Sequence, residues 1–182
     1  ADEPTHHKDG GYWDGAVWAP TTYQTIKGLE KIGEHQLAYK VAANHLEHLY
    51  WVYRETYTLY ENYQPEKASK GREARANFVG WTGTGPIASL IENILGIQVD
   101  APNNSVTWRL QLAEKHGISQ LKFGDNTISL LAEDRATLTD GTWLKINSAR
   151  AFTLKVILDN TQTTFYVPKG QSRFSVAQPV ES

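Results

Sequence analysis

The sequence predicts an α+β fold in which helices come first and an antiparallel β-sandwich follows. Three observations predict it. Up to about residue 97, apolar residues recur at steps of three and four. Beyond that point the texture changes to short β-type runs separated by turn pairs. The change coincides with the cluster Asp100-Ala101-Pro102-Asn103-Asn104, a turn signal. The expected organisation is a helical portion over residues 1–97 and a β-sandwich domain over residues 98–182.

The elements follow in order. Residues 1–12 are polar and read as a loop or frayed terminus; the adjacent His6 and His7 fit a solvated pair better than a metal site. Gly10 to Pro20 is a turn dense in glycine and tryptophan, in which glycines allow close backbone approach and Trp13 and Trp18 supply flat apolar faces. Pro20 suits a first helical position, Tyr23, Ile26, Leu29 and Ile32 lie at helical spacing, and Gly33 is a stop. Gly28 within this helix suggests a tight helix contact. A second helix from Glu34 to about Tyr57 carries Ala38, Ala42, Leu46, Leu49, Tyr53 and Tyr57 on one face. His45 and His48 stand one turn apart on it, a pair without a third metal ligand in register. A third helix is capped by Thr84, has Pro86 in its first turn, and ends at Gly96. In the β portion, Gly124-Asp125-Asn126 joins Ile118–Phe123 to Thr127–Leu131 as a hairpin. Trp143–Ile146, Ala151–Leu158, Thr163–Val167 and Ser172–Val176 complete the strands. Trp108 and Trp143 are expected in its core rather than as a sugar platform.

Composition excludes several classes. A net charge of −2 gives no electrostatic case for nucleic acid or for an anionic membrane. No apolar run is long enough to span a bilayer. Zero Cys means no disulfide and no thiolate metal site, which fits any compartment. The chain has no Met and starts Ala-Asp-Glu-Pro-Thr, so it is expected to begin within a longer polypeptide or after processing. No cofactor is implied.

The chemistry concentrates between Tyr57 and Pro86. Glu61 is a lone acid between Tyr60 and Tyr63, followed by Asn62 and Pro65. A carboxylate at a helix end among aromatic and amide groups suits a general base in sugar cleavage. On residue types alone, Glu61 fits a solvated acid on a surface loop better than a catalytic base. Most of the six Trp and nine Tyr lie before residue 82, which suits a carbohydrate cleft, although packed core explains aromatics as well.

Three segments carry a resemblance: Gly11-Tyr12-Trp13-Asp14-Gly15-Ala16-Val17-Trp18-Ala19-Pro20, Tyr60-Glu61-Asn62-Tyr63-x-Pro65, and Phe78-Val79-Gly80-Trp81-Thr82-Gly83. In this order they resemble the tryptophan-glycine, catalytic-base and Phe-Gly-Trp-Thr segments of (α/α)6-toroid glycoside hydrolases. These are the trehalase and family 63 glucosidase group with its mannosylglycerate-hydrolase-like relatives. The resemblance covers about the first half of the chain. It implies that the helices come from the C-terminal end of a toroid and that the enzyme inverts α-linked glucosides or related sugars. Glu61 would be the general base, and Tyr12, Trp13, Asp14, Trp18, Asn62, Tyr63 and Trp81 would bind substrate. Asn62 and Tyr63 are natural hydrogen-bond donors to the Glu61 carboxylate.

The departures from the family matter as well. Its acid lies upstream of the tryptophan motif, where this chain has nothing, so the general acid is expected outside these residues. The upstream part of the polypeptide then becomes a partner beside the carbohydrate, and the chain alone should be inactive. The loop from Lys67 to Asn77, with Arg72 and Arg75, is more basic than trehalase's, which argues against trehalose as substrate. Enzymes of this kind favour a periplasmic or secreted location over a cytoplasmic one. The competing reading is a non-catalytic carbohydrate-binding or scaffold module in which Glu61 only hydrogen-bonds.

Overall fold

The computed structural model describes residues 7–177, so His6 and the last five residues lie outside it. It has three α-helices and two four-stranded sheets, an α+β architecture. The chain divides into two compact units, Ala1–Asn93 and Ile94–Ser182.

The first unit is helical. Helix α1, Ala19–Lys31, starts with a proline at its N-terminus, and Gly33 follows it at φ +86°. Helix α2, His35–Thr56, stops where Tyr57 turns left-handed at φ 56° and returns its N–H to the Tyr53 carbonyl. Its buried stripe is Ala38, Ala42, His45, Leu49 and Val52. This corrects the expected face: Tyr53 and Tyr57 are exposed, because a stripe advancing 3.6 residues per turn reaches Val52 after Leu49. Helix α3, Gly80–Ser89, begins four residues before the expected cap. Thr84 lies inside it and donates its hydroxyl to the Gly80 carbonyl at 3.2 Å, so it caps nothing. Pro86 is therefore interior, not in the first turn. A π-helical turn, Leu90–Ile94, follows, and Gly96 at φ +72° ends the segment.

Helices α1 and α3 pack on each other, and the glycine at that contact is Gly85. A Cβ on it would stand 3.6 Å from the Ala19 Cβ. Gly28, expected to mark a tight helix contact, is exposed with nothing near it among the described residues.

The second unit is a two-sheet sandwich. Its strands are β1 Ile97–Asp100, β2 Ser105–Arg109, β3 His116–Phe123, β4 Asn126–Ala132, β5 Thr142–Ser148, β6 Phe152–Leu158, β7 Thr161–Val167 and β8 Gly170–Val176. One sheet runs β1-β2-β6-β7 and the other β3-β4-β5-β8. The Gly124-Asp125 turn joins β3 to β4 as expected. Burial alternates strictly along β4, β5 and β6, so every second side chain enters the core between the sheets. There Phe123 meets Phe152 with ring centroids 5.8 Å apart, and Trp108 is fully buried with its indole N–H donated to the Leu95 carbonyl at 2.9 Å.

Two expectations need correction. The sandwich is not wholly antiparallel, because β2 and β6 pair in parallel. Strands β3 to β5 form the other sheet between them, so β6 approaches β2 from the same end. Trp143 is not core: β5 places it on the outer side of its sheet, where the Arg173 guanidinium lies 4.1 Å from the ring centroid.

Gly96 opens this unit under a tight constraint. A Cβ there would fall 2.0 Å from the Arg109 carbonyl oxygen, on a residue already at φ +72°. Replacing Gly96 with Ala should destabilise the β unit by about 3 kcal/mol, through strain and a displaced β1–β2 pairing. Urea denaturation followed by amide NMR of residues in β2 and β6 measures it.

Candidate active site

Glu61 lies in an irregular stretch between α2 and α3, and its position depends on how that stretch is held. Irregular buried backbone must find hydrogen-bond partners one group at a time. Nearly every peptide group from Tyr60 to Gln64 finds one. The Tyr60 carbonyl accepts from the Thr82 hydroxyl at 2.8 Å, and the Tyr60 N–H donates to the Tyr63 hydroxyl oxygen at 3.0 Å. The Glu61 N–H donates to the Arg75 carbonyl at 3.0 Å, and the Glu61 carbonyl accepts from the Trp81 indole N–H at 3.1 Å. Gly71 donates to the Asn62 carbonyl, and Gln64 donates to Ser69. Val17 and Tyr63 exchange both backbone hydrogen bonds, at 2.8 and 3.0 Å.

These bonds bring the three sequence motifs into one place. Val17 belongs to the tryptophan-glycine segment, and Trp81 and Thr82 to the start of α3. Between those two motifs the rings also meet. Trp13 stacks on Trp18 at 4.1 Å and 9°, Tyr12 stands edge-on to both, and Trp18 lies 5.9 Å from Trp81, which in turn meets Phe78. The Trp18 indole N–H donates to the Tyr12 carbonyl at 3.2 Å. Tyr12 itself sits at φ 55°, a left-handed turn that folds the segment back on its own rings.

The expected site residues divide by exposure. Trp18, Asn62 and Tyr63 are buried, Tyr12 is half-buried, and Trp13, Asp14 and Trp81 are exposed. Trp13 is the outer leaf of the tryptophan stack, with 68% of its surface open. Glu61 is 6% exposed, and among the described residues its carboxylate makes no hydrogen bond or ion pair. The expected donors do not reach it. The Tyr63 hydroxyl is turned to the Tyr60 N–H, and the Asn62 side chain is folded against Gly71. The Asn62 Oδ1 stands 1.8 Å from where a Gly71 Cβ would be, so only glycine leaves that room. Both amide atoms of Asn62 are buried without a partner among the described residues, a cost of about 1–3 kcal/mol that functional sites often carry.

Residues that sequence reasoning missed complete the clamp. Thr82 and Val17 carried no signal beyond their place inside the motifs. Gly71 looked like part of a charged loop. His48 packs edge-on to Tyr63 at 6.0 Å. Burial lowers its pKa, against a hydrogen bond with the Ser69 backbone. Among the described residues no three His, Cys, Asp or Glu side chains gather into a group that could hold a metal ion. Arg72 and Arg75 are exposed; Arg72 pairs with Asp9 at 3.6 Å, and Arg75 contributes its carbonyl to Glu61. No helix of the described residues is long and apolar enough to cross a membrane.

The family profile described as mannosylglycerate hydrolase MGH1-like glycoside hydrolase domain matches residues 2–82. Over those residues, fewer than half of the chain, it is similar to glycoside hydrolases of that description. All three motifs fall within the matched residues except Gly83. An uncharacterized protein of Borreliella burgdorferi is 23% identical over 184 aligned positions, covering 93% of this chain and 38% of that protein. The chain therefore spans well under half the length of that relative. No solved structure matches it.

Two predictions follow from the packing. Replacing Trp81 with Phe keeps the ring but leaves the buried Glu61 carbonyl without its donor, and should cost about 1–3 kcal/mol; thermal denaturation of the variant measures it. Burial, and then the charge of His48, push His45 down to about 4 from its ordinary 6.5. Between those values the unfolded chain binds the proton and the folded chain does not. His45 therefore leaves stability intact above pH 6.5 and erodes it as pH falls toward 4, by about 3 kcal/mol in all. In urea titrations at pH 7 and pH 4.5, His45→Gln should lose about 2–3 kcal/mol less than the native chain.

Proposed function

We propose that the helical unit supplies the general base and part of the sugar cleft of an inverting glycoside hydrolase acting on α-linked glucosides or related sugars. The observation that carries this reading is the condition of Glu61. Its backbone is fixed on every side by hydrogen bonds, while its carboxylate, almost buried, is left without a protein partner. A structural acid in that setting would be expected to end in a hydrogen bond or an ion pair. A carboxylate that must take a proton from water needs the opposite: a fixed position and free lone pairs.

In this mechanism Glu61 removes a proton from the water attacking the anomeric carbon. An acid on the opposite face of the sugar, contributed from outside these residues, protonates the leaving oxygen. The two carboxyl groups of an inverting pair stand roughly 6.5–9.5 Å apart so that the water fits between base and sugar. The exposed rings of Trp13 and Trp81, with Tyr12 beside them, offer apolar faces to sugar C–H groups, and Asp14 offers a carboxylate to hydroxyls. Trp18, Asn62 and Tyr63 act one layer further in, holding those groups in place. The chain without the acid should not turn over substrate.

The test uses the complete polypeptide and its Glu61→Gln variant on a panel of α-glucosides and α-mannosides. Turnover should fall by three orders of magnitude or more with KM little changed, because the removed interaction acts in the transition state. NMR of the first-formed sugar should show the β anomer from an α-glycoside. The melting temperature should hold or rise, since Gln removes a nearly buried, unpaired carboxylate. A variant that keeps its turnover but binds sugar weakly would mark Glu61 as a binding residue and the unit as a non-catalytic module.

A further inference from the structure

The β unit carries a groove that the hydrolase reading does not use. It lies open along the sheet β3-β4-β5-β8, spans about 820 Å3, and is lined by residues of all four strands. That volume is in the range of small-ligand sites. Register fixes what faces outward along it. Gly117, Leu131, Lys145 and Arg173 are successive cross-strand partners in one row, and Ser129, Asn147 and Gln171 form the next.

Three features of these rows point to a ligand. Lys145 and Arg173 stand directly opposite each other on the same face, and like charges so placed destabilise a sheet. Glu133 is shared by Lys145 and Lys115, whereas Arg173 lies over the Trp143 ring and pairs with no carboxylate among the described residues. The side chains of Asn147 and Gln171 likewise make no hydrogen bond there, so a donor and an acceptor on each remain open. Strand β3 bends beside the groove, with a register shift between Ile118 and Leu121, Gln120 at φ 59°, and the Gln120 N–H donated to the Ser129 hydroxyl at 3.2 Å. Bulges and left-handed non-glycine residues are costs that tend to sit where a side chain is being aimed at something.

We propose that this face is a second saccharide site, separate from Glu61, that takes an acidic oligosaccharide containing uronic acid. A uronate carboxylate would give Arg173 the charge-assisted partner it lacks, with Lys145, already paired to Glu133, adding to the positive potential beside it. Vicinal ring hydroxyls, each donor and acceptor, match the amides of Asn147 and Gln171. The apolar C–H face of the sugar lies on Leu131, the apolar member of the first row.

The experiment is titration of the isotope-labelled chain with trigalacturonate and, separately, with maltotriose, followed by amide NMR. Trigalacturonate should give saturable shifts grouped at Ser129, Asn147, Gln171 and Arg173, and maltotriose should bind at least tenfold more weakly. Arg173→Leu should weaken trigalacturonate at least tenfold, Gln171→Ala several-fold, and Glu61→Gln not at all. Both groove positions are exposed, so the variants should keep the native spectrum. No saturable shifts at these residues, equal binding of maltotriose at these same residues, or indifference to Arg173→Leu and Gln171→Ala would each overturn the proposal. Because Glu61→Gln leaves this binding intact, its outcome is independent of the hydrolase reading.

Discussion

The exchange of two backbone hydrogen bonds between Val17 and Tyr63 is the constraint on which the helical unit depends. Neither residue lies in a regular element, and they are far apart in sequence. Closing so long a loop costs entropy, which the surrounding packing must offset. It does so with large, rigid groups. Tyr63 and Trp18 are buried on either side of the pairing, with His48 against the Tyr63 ring. With that pair in place, Trp81 and Thr82 at the head of α3 reach the next two carbonyls, and the Glu61 backbone has little freedom left. The glycines serve the same end. Gly10 and Gly71 each lie within a few ångströms of the Glu61 segment, where any side chain would push the strands apart.

This explains the uneven exposure of the aromatic residues. Rings nearest the backbone pairing are buried because they fill the space that an irregular chain leaves open. The rings outside them, Trp13 above all, stack on the buried ones and keep a free face. A preorganised cleft requires such an arrangement, in which an inner layer fixes an outer layer that meets the ligand. Polar atoms without protein partners, on Asn62 and Glu61, lie in the same small region.

Much of this was legible in the sequence, and the reasons are local. The helices of residues 19–56 follow from periodicity and from Pro20 and Gly33, and the later hairpins from alternation and turn pairs. What periodicity could not give was the start of α3, because Gly-Trp-Thr-Gly-Thr-Gly has poor helix propensity and is helical through its tertiary contacts. The parallel pairing of β2 with β6 was hidden for a different reason: strand patterns do not encode which partner a strand takes. At the site, the three motif segments do come together, but the motifs did not give the direction of each side chain. Tyr63 and Asn62, adjacent to Glu61, were expected to serve its carboxylate. They serve the backbone and Gly71 instead, because the irregular backbone there turns the Tyr63 hydroxyl to the Tyr60 N–H and the Asn62 amide against Gly71.

The step proposed for Glu61 is deprotonation of the attacking water. The most direct measurement is chemical rescue of Glu61→Ala in the complete polypeptide with sodium azide, using an activated α-glycoside. Azide is anionic and needs no base, so it should restore turnover and yield the β-glycosyl azide, the inverted product. Full hydrolysis by Glu61→Ala without azide, or an α-glycosyl azide as product, would contradict it.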